Sequence, residues 1–224
     1  MKRTDWRYLE ACMQQSMKDT AHDMQHVWRV LNNAIEIAGS EEAVNMDVLI
    51  TAAILHDIGR ADELKDPTAD HAVTGGERAY RLLMDMGFPE QFSEHVRQCI
   101  RTHRFRRNDP PATIEAKILF DADKLDVCGA VGIARTLMYS GEHHHPLYST
   151  DKDGTVCDGL NDPEDSFCRE YRFKLEGMYN RFLTKRGAEL AAGRQSAAQD
   201  FYMALLSEVK ADAGLKCMEN LLLD

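Results

Sequence analysis

Thr51-Ala52-Ala53-Ile54-Leu55-His56-Asp57-Ile58-Gly59-Arg60 sets an imidazole and a carboxylate side by side at the end of an apolar, Ala-rich run. Neighbouring positions on a helix differ in direction by about 100°, so both side chains cannot occupy the middle of one face. Both can reach a point near a helix end, and Gly59 suits such an end because it tolerates the left-handed conformation that often follows a last turn. Two polar groups at an apolar helix end are costly to bury unless something pairs with them. Taken alone, the stretch also reads as a His capping a helix and an Asp pairing with Arg60 or its neighbours.

The surroundings narrow this reading. Upstream lies His22-Asp23-Met24-Gln25-His26-Val27-Trp28-Arg29-Val30, and downstream Asp121-Ala122-Asp123-Lys124-Leu125-Asp126. Helical spacing predicts an opening helix over Asp5 to Met17 (Trp6, Leu9, Met13 and Met17 packing) and a second over Thr20 to Ala38. The second has Val27, Val30, Leu31, Ala34, Ile35 and Ala38 on one stripe. Met46 to Ile58 reads as a third helix that ends in the His-Asp pair, and Ala61 to Ala69 as an acidic loop. Asp70 to Gly87 is a fourth helix, with Ala72, Ala79, Leu82, Leu83 and Met86 inward; Gly75-Gly76 inside it favours a close approach of chain or ligand. Pro89 to Arg104 is a fifth, followed by the basic loop Arg104-Phe105-Arg106-Arg107. Thr113 to Ser140 reads as one long sixth helix, its glycines 129 and 132 permitting tight packing.

From Gly141 to Asp165 the helical period is lost, and loops of that length are usually functional or disordered. Phe167 to Leu183 and Ala188 to Val209 read as closing helices, and Cys217 to Asp224 as a short tail helix. The expected architecture is a single all-α helical bundle over residues 1–224. Its metal-site core covers about 20–140, the long loop about 141–165, and the closing helices about 166–213.

With 224 residues, 44% of them hydrophobic, the chain can bury a core. No apolar run reaches the length of a membrane span, and no apolar segment follows the charged N-terminus as in a secretory signal. The six cysteines are scattered without short pairings, which suits reduced thiols in a cytoplasmic protein. A net charge of −10 argues against a nucleic-acid polymer as partner; a small anion in a locally basic pocket remains compatible with it. There is no nucleophile elbow and no Gly-rich phosphate loop.

His26, His56, Asp57 and one later Asp offer two nitrogens and two oxygens. Mixed donors of that kind suit Mn, Fe, Co, Ni or Zn. An ion so held acidifies a bound water towards neutrality and can hold a phosphoryl oxygen. In order and spacing these residues resemble the HD superfamily of metal-dependent phosphohydrolases, in which an all-α domain carries an early His, the eponymous His-Asp pair and a later Asp. His26, with Arg29-Val30 after it, matches the first ligand, and His56-Asp57 the pair. Asp123 in Ala122-Asp123-Lys124-Leu125 matches the last, with Asp121 and Asp126 as near competitors. Asp121 to Arg135, with Lys174-Leu175, Thr184, Gly187 and Arg194 downstream, is similar to a small bacterial subgroup that includes nucleotide pyrophosphohydrolase-like members. A His that the subgroup often carries before the Lys falls at Glu170 here.

The resemblance implies hydrolysis of a nucleotide or similar small phosphate, with a hydroxide on the ion attacking phosphorus and pyrophosphate release from a triphosphate as one form. Other phosphomonoesters or diesters are the alternative substrates, and a nucleotide-binding regulator the alternative class. It implies one divalent ion, with room for a second held by His71 and His103 and bridged by Asp57. Otherwise His71 or His103 donates to phosphate or transfers a proton, beside Asp57 and Lys124 as catalytic groups. Arg60, Arg104, Lys124, Asp126 and Lys174 are the candidate substrate contacts, Arg offering a two-pronged donor and Lys a point charge. His143-His144-His145 reads as exposed surface. The long loop reads as a lid or as a contact in an oligomer.

Overall fold

In the computed structural model, residues 2–17, 23–63, 65, 66, 68–105 and 109–211 are described. His22, Pro67, Arg106, Arg107 and the expected tail helix lie outside them. Among the described residues the regular elements are helices, with one isolated β-bridge between Thr150 and Val156. They are α1 (Arg3–Ser16), α2 (Met24–Ala38), α3 (Met46–Leu55), α4 (Arg60–Glu63), α5 (His71–Asp85), α6 (Glu90–Thr102), α7 (Ile114–Leu125), α8 (Gly129–Glu142), α9 (Phe167–Glu170) and α10 (Lys185–Ala211). They sort into two compact units, one from positions 1–126 and 182–188, the other from 127–181 and 189–224.

The first unit is built on α2, α3, α6 and α7, which pack on one another, with α5 against α6 and α1 against α3. Polar side chains start these helices by accepting orphan backbone N–H groups. Asp23 takes His26 N, Asn45 takes Val48 N, Asp70 takes Ala72 N and Thr113 takes Ala116 N. The stripe on α2 differs from the expected one at one place: Ile37 is buried and Ile35 is exposed. α3 is buried nearly all round. It ends at Leu55, so the His-Asp pair stands just past its last turn rather than inside a helix reaching Ile58. The acidic loop expected after it contains the one-turn helix α4.

Close approach explains two glycines here. A Cβ on Gly59 would stand 2.4 Å from the His71 carbonyl oxygen and 2.6 Å from the Gly75 nitrogen, and one on Gly75 would stand 3.2 Å from Gly59 N. The turn after His56-Asp57 is thereby pressed directly onto the start of α5.

The expected long sixth helix is two helices. α7 stops at Leu125, and α8 begins at Gly129, whose φ is +65°. A left-handed residue cannot continue a right-handed helix, and Gly adopts that conformation at little cost. The expected closing helix over Phe167 to Leu183 is also shorter and mixed. α9 is one turn, followed by a π-helical turn over Tyr171–Leu175 and a 3-10 turn over Met178–Asn180. In this second unit Ile133, Phe167, Cys168, Tyr171, Leu175, Ala198, Tyr202 and Leu206 form one buried cluster. Tyr171 and Tyr202 stack there with centroids 4.0 Å apart.

Overpacking of this kind costs about 1–3 kcal/mol. Gly59→Ala is therefore expected to lower the melting temperature by several degrees in a thermal unfolding scan. Gly193→Ala, whose added Cβ meets nothing within 4 Å, leaves it unchanged or raises it.

Candidate metal centre

Four histidines converge in the first unit, each for a local reason. His56 caps α3 and His103 caps α6. The carbonyls of a helix's last turn have lone pairs to spare, and each ring directs Nδ1 at one. His56 Nδ1 donates to Ala53 O at 2.8 Å, and His103 Nδ1 to Ile100 O at 2.6 Å. A carbonyl only accepts, so both protons sit on Nδ1 and both Nε2 lone pairs are left free.

His26, in the first turn of α2, donates Nδ1 to Asp126 Oδ2 at 2.7 Å. Arg29, one turn on, holds that carboxylate with Nε on Oδ1 at 2.6 Å and Nη2 on Oδ2 at 3.0 Å. His71, the first residue of α5, donates Nδ1 to Glu63 Oε2, and Arg104 Nη1 reaches Glu63 Oε1 at 2.8 Å. Burial alone would raise the Glu63 carboxyl, but the bonds from His71 and Arg104 bring it down to about 2. An ionised Glu63 accepts, so His71 also carries its proton on Nδ1. Arg104 and Arg60 stand 2.9 and 3.2 Å from that same nitrogen.

The four Nε2 atoms face Asp57. Its Oδ2 lies 3.6 Å from Nε2 of both His26 and His56; its Oδ1 lies 3.2 Å from Nε2 of His71 and 3.9 Å from that of His103. Asp123 Oδ1 stands 3.5 Å from His26 Nε2 and 3.9 Å from His56 Nε2, and those two nitrogens are 3.2 Å apart. Burial would raise the Asp57 carboxyl, yet His56, the bond from His71 and Arg60 hold it well below the usual range. Asp123 is likewise held low, by His26 and His56 against the effect of burial. Burial, with the neighbouring His56, brings His103 down to about 3, so its ring is neutral at ordinary pH.

The result is two donor groups, His26–His56–Asp123 and Asp57–His71–His103, each able to hold an ion. Donors on one first-row ion, bonded at about 2.0–2.2 Å, stand about 3–3.6 Å apart. These groups approach that spacing. Two imidazole nitrogens and a carboxylate oxygen in each group are the mixed donors that a first-row divalent ion takes, so the residues fit a divalent metal.

The three competing acids on α7 have different surroundings. Only Asp123 joins His26 and His56. Asp121 is buried and accepts from Leu183 N, Thr184 N and Thr184 Oγ1. Asp126 is buried behind His26 and engaged by Arg29. Arg60 lies beside Glu63 and His71 rather than on Asp57 alone, with Nη1 3.6 Å from Glu63 Oε2. Lys124 follows Asp123, with its ammonium 4.2 Å over the Phe120 ring. Lys174 lies in the second unit, exposed, with its ammonium 2.5 Å from Glu170. His95 pairs with the buried Glu115 at 3.1 Å. Sequence reasoning missed Glu63; its signal was a polar turn, Arg60 to Glu63, directly after the Gly59 stop.

Comparison with known proteins agrees with this geometry. Residues 24–128 match the model of the HD domain, a span that contains all six converging side chains. The uncharacterized protein YpgQ of Bacillus subtilis is 33% identical over 196 residues, covering 86% of each chain. The chain belongs to the HD superfamily. A crystal structure of a predicted HD superfamily hydrolase from an uncultured Thermotogales bacterium is 31% identical, with a TM-score of 0.62, over 93% of this chain and 99% of that one. The crystal structure of B. subtilis YpgQ in complex with ADP matches at 26% identity and a TM-score of 0.69, over 91% and 97% of the two chains. The fold is that of an HD-superfamily hydrolase. No described helix is long and apolar enough to cross a membrane.

Carboxylates that orient metal-binding histidines are worth roughly 10–100-fold in affinity. Asp126→Asn, which keeps the shape and removes the charge from His26 and Arg29, is expected to weaken Mn(II) binding by that factor in a competitive chelator titration. An unchanged affinity would mean that Asp126 has no part in presenting His26.

Proposed function

We propose that this HD-superfamily chain is a phosphohydrolase of nucleotides that works with two divalent ions, the first on His26, His56, Asp57 and Asp123, the second on Asp57, His71 and His103. The observation that carries this reading is Asp57, each of whose oxygens faces a different pair of imidazole lone pairs. Divalent ions there supply positive charge for phosphoryl oxygens and acidify water towards neutrality.

The side chains then divide the work. Asp57 and Asp123 balance the charge of the ions. His103 is neutral with its Nδ1 on Ile100 O and so presents a lone pair at Nε2, and His71 has its Nδ1 on Glu63, which supports a ligand role for both. Lys124, beside Asp123, and Arg60 and Arg104, beside His71, are the cations that meet substrate phosphates. The ADP in the YpgQ crystal structure supports a nucleotide as substrate, with a nucleoside triphosphate releasing pyrophosphate as the first case to try.

The test is Mn(II)-dependent turnover across nucleoside mono-, di-, tri- and cyclic phosphates with product identification. Wild type is expected to cleave at least one member, and Asp57→Ala to lose 10³-fold or more in kcat/KM, about 4 kcal/mol of transition-state stabilisation. A metal-loaded wild type that binds nucleotides and cleaves none of them would identify a binding protein. Undiminished turnover by Asp57→Ala would remove Asp57 from the chemistry.

A further inference from the structure

The two donor groups are alike in their histidines and unlike in their charge. Each has one ring fixed by a helix-end carbonyl (Ala53 O, Ile100 O) and one fixed by a carboxylate that an arginine holds (Asp126 with Arg29, Glu63 with Arg104). The first group has a carboxylate of its own, Asp123, in addition to its share of Asp57. The second has only its share of Asp57.

Around the second group the balance is further against a cation. Two guanidinium groups, of Arg60 and Arg104, stand 3.2 and 2.9 Å from His71 Nδ1. Glu63 is approached by both arginines, at 3.6 and 2.8 Å, and Arg60 also acts on Asp57. Behind the first group, Asp126 is held by Arg29. A dication in the second group therefore meets two nearby positive charges, offset by Glu63 and by its share of Asp57, and has no counterpart of Asp123 among the donors just named. Coulomb repulsion of that kind is strongest in a buried site. An anion that occupies the two arginines would supply the missing charge.

We propose that the second ion is exchangeable and is held firmly only when a phosphate anion is bound alongside it, and that Glu63 is the positioning residue that sets its affinity. This rests on the two-ion reading above. Glu63 acts through His71: its charge keeps the proton on Nδ1, raises the basicity of Nε2 and offsets Arg60 and Arg104. The first ion, with Asp123 as its own carboxylate, stays bound in either state.

Mn(II) binding is measured by metal content after dialysis and by electron paramagnetic resonance, with and without inorganic phosphate. Wild type is expected to retain one ion without phosphate and two with it, the second revealed by a spin-coupled Mn(II) pair. Glu63→Gln is expected to keep the first ion, which also reports that it is folded, and to bind the second at least tenfold more weakly with phosphate present; Glu63→Asp recovers part of that loss. Two ions held equally tightly without phosphate, or an unaltered second ion in Glu63→Gln, would overturn this proposal and leave the two-ion reading standing. A wild type that never takes a second ion, and matches His71→Ala in metal content under all conditions, would overturn both.

Discussion

The structure of the first unit depends on the two oxygens of one buried carboxylate. Asp57 meets four imidazole nitrogens, two on each oxygen. The protons are committed elsewhere, to Ala53 O, Ile100 O, Asp126 and Glu63. Four imidazole nitrogens around one buried, ionised carboxylate form an arrangement that cations complete. The fold accepts this strain on electrostatics because each partner is fixed from behind. Helix ends, caps and arginine-held carboxylates fix the rings before any ion arrives.

The helices exist, for the purposes of this site, to bring their ends together. His56, His103 and Asp126 are the residues at which α3, α6 and α7 stop, while His71 begins α5 and His26 lies in the first turn of α2. Helix ends expose unpaired backbone groups, so a side chain there can be oriented by the backbone at no extra cost in sequence. The contact between Gly59 and Gly75 brings the turn after Asp57 against α5. That contact places His71 opposite Oδ1 of Asp57.

Much of this was legible in the residues themselves. The apolar run before His56, the stripe on α2 and the caps Asp23 and Asp70 point to helices at the places where they form. His26, His56, Asp57, Asp123, His71 and His103, which the structure brings together, could all be named from type and order once the resemblance to the HD superfamily was added. The break before Gly129 was not legible, because it takes only the three residues Asp126 to Cys128 and neither they nor their neighbours include a proline. The role of Asp126 was half legible. Its spacing from Asp123 shows proximity, but its contact with His26 spans a hundred positions. Glu63 was hidden because a one-turn helix in an acidic stretch has no period to read. The turn over Tyr171–Leu175 reads as ordinary helix, since a π turn alters hydrogen bonding and leaves composition unchanged.

The central claim is that Asp57 is shared between two cation sites. The most direct measurement is anomalous scattering from crystals grown with Mn(II) and inorganic phosphate. The account predicts two peaks, one among His26, His56, Asp57 and Asp123 and one among Asp57, His71 and His103. A single peak at the first group, with His71 and His103 bonded to something other than an ion, would contradict it.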